Sequence, residues 1–381
     1  MGGHAVGELA SKIAIDTVPH TFHKLKNLAT REALQQAIEE ANTAIYNRGQ
    51  QNRDFHNMGT TCTTLVLCPE GAIVGHIGDS RLYRIREGRI DQLTFDHSLQ
   101  WELLRQGRLA PEEIVLHQPR NIITRCLGPH PDPQVDMEGP YAVLPRDVYL
   151  LCSDGLTGLV HDQEIGMIAQ TLAPADACRL LVNLANLRGG NDNITVVIAR
   201  VGDIPAEVSH LPPSEPIPKS NLHDWAWLLG FWGLGSLLVT AVALILLGKP
   251  VEGVLTLGLT ILAAGGMLLS WLHTSEKRSR DVPEGTVICS PHRTAAIRLN
   301  PKFLSQLGAL ENALQQTASE EGWEINWTEQ KQAYEKAKVA LAARNYATAL
   351  QEIGRAIQIL MAGIQYQRRR LDHLAKWRSG E

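Results

Sequence analysis

The chain lacks the charge excess that would draw nucleic acid. Across 381 residues the formal net charge is −4, with 36 Lys and Arg against 40 Asp and Glu. No basic field is present to neutralise a phosphate backbone and no acidic tail to recruit a basic partner, so no nucleic-acid role is expected. Paired cysteines are lacking too. The six, at 62, 68, 126, 152, 178 and 289, include no Cys-x-x-Cys. Scattered in apolar runs such as Tyr149-Leu-Leu-Cys152, they read as buried reduced thiols, not a zinc site or a disulfide framework. The opening residues show no basic patch followed by an apolar run, so no signal peptide is expected. Val6 stands where a myristoylation signal wants serine or threonine.

Charge is missing altogether from two long stretches. Trp225–Leu247 and Val254–Leu272 contain no Asp, Glu, Lys or Arg. At the helical rise, 23 and 19 residues span roughly 35 and 28 Å. Trp225, Trp227 and Trp271 lie at the outer ends, where indoles prefer a membrane interface. The expectation is a transmembrane helical hairpin over 225–272. Lys277, Arg278 and Arg280 follow it, which predicts both flanking regions on the cytoplasmic side. Neither stretch holds an ionisable residue of the kind that marks a transport path.

These stretches divide the chain. Residues 1–202 carry alternating strand and helix patterns. Residues 203–224 are rich in proline and polar groups, as a linker is. Residues 281–381 read as a helical cytoplasmic region. There Tyr334, Ala337 and Leu341, then Tyr346, Ala349, Leu350, Ile353, Ala356 and Ile357, keep helical spacing around a break at Arg344-Asn345. The second half resembles part of a tetratricopeptide repeat. Only one unit is visible, and repeat arrays need several, so an ordinary helical hairpin is expected. The Arg368-Arg-Arg370 run reads as a solvated helix face.

Within 1–202, strands are expected at Thr63–Cys68, Ala72–Ile77, Arg81–Arg86, Ile90–Leu93, Asp147–Cys152 and Ile194–Val201, the first four as an antiparallel meander. Helical spacing covers 97–108 and 161–187. The fold class is therefore α+β, layered, not a doubly wound parallel sheet. Three aspartates sit at strand edges: Asp79 in Gly78-Asp-Ser-Arg81, Asp154 in Cys152-Ser-Asp-Gly155, and Asp192 in Gly190-Asn-Asp-Asn193. One alone would read as a turn or helix cap. Three in one domain favour a shared site for hard divalent cations, which take oxygen ligands.

The ordered series Met58-Gly-Thr-Thr61, Gly78-Asp-Ser-Arg81, Leu93-Thr-Phe-Asp-His-Ser98, Arg120-Asn-Ile-Ile-Thr-Arg125, Cys152-Ser-Asp-Gly-Leu156 and Gly190-Asn-Asp-Asn-Ile-Thr-Val196 resembles the motifs of bacterial PP2C-type (PPM) phosphatases. The resemblance covers 1–202 and implies a central antiparallel β-sandwich flanked by helices. It implies metal-dependent hydrolysis of phosphoserine and phosphothreonine in proteins, by water activated between Mn²⁺ or Mg²⁺ ions. Asp154 and Asp192 would be ligands of two ions, and Asp79 would help hold a third. The segment His97–Arg125 resembles the substrate flap, with His97, Arg120 and Arg125 as candidate contacts. Phosphorylated proteins are the implied partners, a serine/threonine kinase among them.

Met1-Gly-Gly-His4 resembles the tail of the family's Asp-Gly-Met-Gly-Gly-His motif. The bridging aspartate and the strands before it would precede Met1, so the chain reads as an N-terminally truncated domain whose true start lies upstream. The competing expectation is a catalytically inactive pseudophosphatase, a membrane-bound scaffold that binds phosphoproteins.

Overall fold

The computed structural model describes residues 4–108, 122–202, 235–237, 239–261, 263–264 and 291–379. Contacts divide the chain into two units: Met1–Leu211 with Cys289–Glu381, and Pro212–Ile288.

In the first unit, period-two burial builds two antiparallel sheets. Strands β1 (Cys62–Cys68), β2 (Gly71–Ile77) and β5 (Asp136–Tyr141) form one sheet in the order β1-β2-β5. Strands β3 (Arg81–Arg86), β4 (Arg89–Gln92), β6 (Val148–Cys152), β7 (Val196–Arg200) and β8 (Arg293–Ala296) form the other, in the order β7-β6-β3-β4-β8. Ala72, Val74, Leu82, Tyr141 and Tyr149 meet in one buried cluster between the sheets. The alternate residues of the same strands, Ile73 and Ile77 on β2, then Tyr83, Ile85, Leu150 and Cys152, face outward to helices.

Helices α1 (His4–Lys24) and α2 (Thr30–Gln51) cover the three-stranded sheet. Leu34, Ile38, Ala41 and Ile45 recur at helical spacing on α2 and pack with Ile73 and Ile77. The five-stranded sheet is covered by α5 (Asp162–Thr171) and α6 (Pro174–Leu187). Two short helices, α3 (Leu99–Arg105) and α4 (Asp154–Thr157), sit at strand ends. The C-terminal region supplies β8 and then α7 (Pro301–Glu320), α8 (Trp327–Ala342) and α9 (Tyr346–Ser379). Phe303, Leu307, Leu350, Ile353 and Ile357 share one core with Ile168, Leu172, Leu180 and Leu184.

The α+β class, antiparallel sheets and helical C-terminal region agree with the sequence reading. The break between the last two helices falls at 343–345, beside the expected Arg344-Asn345. The single meander does not form. Strands β2 and β3 belong to different sheets, so the chain crosses between them at Gly78–Ser80. Gly78 has φ of +119°, and a Cβ there would meet the Thr61 side chain at 2.4 Å, so the crossing is open to glycine alone.

The second unit is helical at 239–246 and 250–261. Ala241 is buried, while Val239, Leu246, Leu247, Val251, Leu255 and Ile261 are exposed. Among the described residues, no helix is long and apolar enough to cross a membrane. Residues 225–234 and 265–272 of the expected spans lie outside the described residues.

Candidate metal centre

The crossing that separates the sheets also places Asp79, immediately after Gly78. Asp154 opens α4 at the end of β6. Asp192 lies just before β7, the neighbour of β6. Ser153 fastens the last two together. Its hydroxyl donates to the Asn193 carbonyl at 3.0 Å and accepts from the Thr195 N–H at 3.0 Å, while its own N–H donates to the Thr195 carbonyl at 3.1 Å. Gly155 permits this approach, since a Cβ there would come within 2.5 Å of the Asn193 carbonyl oxygen. The Asp192 carboxylate accepts from the Asn193 N–H at 2.7 Å.

Electrostatics connects all three. Burial, then the charges of Asp154 and Asp96, push the Asp79 carboxyl up to about 7, with Arg81 opposing. Burial and the Asp192 charge raise Asp154 as well. Asp154 thus stands between the other two in charge, feeling Asp192 and acting on Asp79. Among the described residues, no three His, Cys, Asp or Glu side chains enclose a position for a metal ion, so these are neighbours in charge, not a closed cage. The donor set still fits Mg²⁺ or Mn²⁺. It offers carboxylate oxygen, which hard cations prefer, and a cation would relieve the repulsion that raises Asp79 and Asp154.

The flap residues fare differently. Arg120 lies outside the described residues. His97, expected as a substrate contact, is 1 % exposed and its side chain is engaged within the domain. Its Nδ1 accepts from the Gly78 N–H at 3.0 Å, and its Nε2 pairs with Asp136 at 2.9 Å. Its backbone N–H donates to the Gly78 carbonyl and its carbonyl accepts from the Thr124 N–H, both at 2.8 Å. His97 therefore ties the Asp79 crossing to the base of the flap. Arg125 is partly exposed and holds the other oxygen of Asp136 at 3.1 Å. Burial would raise Asp136, but the hydrogen bond from His97 and the Arg125 charge leave its carboxyl below the usual range.

Three supporting residues escaped the sequence reading. Arg81 grips the buried Asp96 with two nitrogens, Nε at 2.9 Å and a terminal nitrogen at 2.6 Å, to the same oxygen. Both lie inside quoted motifs, but nothing local marks them as a pair. Asp136 carried no signal at all, being 39 residues from His97. Cys152, expected in the core, is buried there, and its thiol is pushed up to about 12 by that burial. That leaves it no role as a nucleophile.

The same part of the chain is similar to known proteins. Residues 1–187 match the family model described as Protein phosphatase 2C. The chain is 39% identical over 216 residues to "Protein phosphatase PhpP" of Streptococcus pneumoniae, covering 54% of this chain and 85% of that protein. Among solved structures, serine/threonine phosphatase Stp1 from Staphylococcus aureus aligns with a TM-score of 0.50 at 33% identity, covering 53% of this chain and 81% of that one. The catalytic domain of PstP, solved in complex with 2 manganese ions, aligns at 0.48 with 36% identity, covering 53% of this chain and 85% of that one.

Proposed function

Since the chain belongs to the protein phosphatase 2C family of metal-dependent serine/threonine protein phosphatases, we propose that it removes phosphate from phosphoserine and phosphothreonine of proteins at the Asp79, Asp154 and Asp192 cluster, next to a membrane. The observation that supports this reading is the chain of repulsion from Asp192 to Asp154 and from Asp154 to Asp79, with the Asp154 and Asp192 segments joined through Ser153.

Asp154 and Asp192 would hold two divalent ions, and Asp79 a third. Such ions, when bound, acidify water and neutralise the phosphoryl oxygens during in-line attack. The chain's own residues do the holding. Ser153 keeps Asp154 and Asp192 in register. Arg81 lends positive charge to Asp79 and Asp154 and takes its own position from Asp96. His97 and Asp136 fix the Asp79 crossing against the flap, where Arg125 is available to a phosphoprotein.

The membrane part rests on the two uncharged stretches and on the exposed apolar side chains of 239–261. Lys277, Arg278 and Arg280 favour a cytoplasmic catalytic domain and C-terminus. The partners are then phosphoproteins of that side, a serine/threonine kinase among them.

The test is hydrolysis of a phosphothreonine peptide by the full chain with Mn²⁺. We expect activity that EDTA abolishes, and losses of about 100-fold or more in Asp154→Asn and Asp192→Asn, the scale of removing charge stabilisation from a transition state. Hydrolysis that persists in EDTA would overturn the reading. Peptide binding without turnover would favour the phosphoprotein-binding scaffold instead.

A further inference from the structure

Strand β8 is an addition to the edge of the five-stranded sheet that the phosphatase motifs do not use. It pairs with β4 from Arg89↔Ala296 to Gln92↔Arg293, and the Thr294 hydroxyl donates to the buried Asp91 at 2.8 Å. Its first residue reaches the flap helix. The Arg293 guanidinium lies 5.1 Å from the centroid of the Trp101 ring on α3. The same arginine pairs with Asp162 at 3.6 Å. Asp162 also accepts from the Tyr83 hydroxyl at 2.8 Å and faces Arg81 at 3.6 Å. Arg81, two residues after Asp79, faces Trp101 as well, at 5.9 Å.

A second contact runs in parallel. His292 donates its backbone N–H to the Gln92 carbonyl at 2.9 Å. Its ring lies 5.7 Å from Phe95, which in turn meets Trp101 edge-on at 6.1 Å and Arg105 at 5.2 Å. Helix α3 has seven residues, of which only Gln100 is buried. A helix so short and so little buried is not stable alone. It is held by the Leu99 N–H on the Ile122 carbonyl at 2.9 Å and by the Thr124 hydroxyl on Glu102 at 2.6 Å, and the Trp101 indole, faced by Arg293 and Arg81, is its link to β8.

We propose that Arg293 is a positioning residue for the substrate flap: through Trp101 and Asp162 it holds α3 beside the Asp79 crossing, so that the C-terminal region sets how well a phosphoprotein is engaged. The side-chain contacts of Arg293 among the described residues run to Trp101 and Asp162, not to Asp79, Asp154 or Asp192. Arg293 acts on the walls of the site, where cation–π contact and a shared carboxylate fix one orientation of the indole. The inference rests on the phosphatase reading for its consequence, but not for its geometry.

Two measurements on the full chain with Mn²⁺ test it. The first is amide hydrogen exchange in Arg293→Ala and Arg293→Lys. We expect exchange at Leu99–Arg105 to quicken about tenfold or more in the alanine variant, to recover in part with lysine, and to hold within about twofold in β3 and α6. Unchanged rates at Leu99–Arg105, or equal acceleration throughout the unit, would overturn the proposal. The second is kinetics of Arg293→Ala. KM for a phosphothreonine peptide should rise about fivefold, while kcat/KM for an aryl phosphate stays within about twofold, since the small substrate needs no flap. Equal loss on both substrates would also overturn it. A wild-type chain that hydrolyses neither substrate refutes the phosphatase reading alone, and the exchange rates still decide the role of Arg293.

Discussion

His76 is a base that the fold keeps neutral. It is buried on β2, with Nδ1 against the Thr63 hydroxyl at 2.9 Å and Nε2 against the Phe95 carbonyl at 3.0 Å. Burial, reinforced by the neighbouring His97, pushes it down to about 3. The unfolded chain takes up this proton below about 6.5, whereas the folded chain refuses it. The His76 contribution to stability is therefore complete above about pH 6.5 and falls on acidification, by about 1.4 kcal/mol per pH unit for one proton. Asp79, raised to about 7, takes up a proton on folding over the same range and opposes it, so in urea denaturation between about pH 7.5 and 5 the slope of His76→Gln should differ from that of the wild type by this amount. An unchanged slope in that variant would refute the assignment. The site's legibility at this scale had a clear limit. The placement of Asp79, Asp154 and Asp192 beside strand ends was readable because each stands among small polar residues. The supports were not, because the links of His97 to Asp136 and of Arg81 to Asp96 span 39 and 15 residues. Pairs made by tertiary approach leave no local spacing to read.

Among the elements, α5 carries a notch for the C-terminal segment. A Cβ at Gly166 would meet Ile297 Cδ1 at 2.4 Å and Ile90 Cβ at 3.3 Å. Ile297 follows β8 directly, so this contact seats the strand against its helix. Gly166→Val should overpack the contact and cost about 1–3 kcal/mol, read as a lowered melting temperature. Adding Ile297→Ala should return part of that loss, and failure to do so would place the strain elsewhere. Strands with alternating or continuous apolar residues, such as β2 and β6, were readable to within one or two residues. The four residues of β8, Arg293-Thr-Ala-Ala296, are not apolar enough to announce a strand; their place comes from the open edge of β4. The crossing between β2 and β3 was hidden for a related reason. Strand patterns fix which faces are buried but not which sheet receives them.

For the molecule as a whole, the first unit is assembled from both ends of the chain. Residues 1–211 and 289–381 share one hydrophobic cluster, and the Gln358 side chain donates to the Asp176 carbonyl at 3.2 Å. The sequence reading described residues 281–381 by themselves, because amphipathic helices show that a face is buried without naming what covers it. An engineered protease site between 212 and 288 offers a test. After cleavage the two outer pieces should elute together in gel filtration without denaturant, and their separation would show that the shared core is too weak to hold them.

The pairing of Thr294 with Asp91 joins residues 203 positions apart, one on each side of both uncharged stretches. During synthesis the sheet must therefore wait with β4 bare until residue 296 has left the ribosome. A contact this distant in sequence is slow to close once its strand is available. A nascent chain halted before that point would carry Asp79, Asp154 and Asp192 and still lack β8, on which the proposed positioning of α3 depends. Catalytic competence toward large substrates would then be among the last properties the newborn protein acquires.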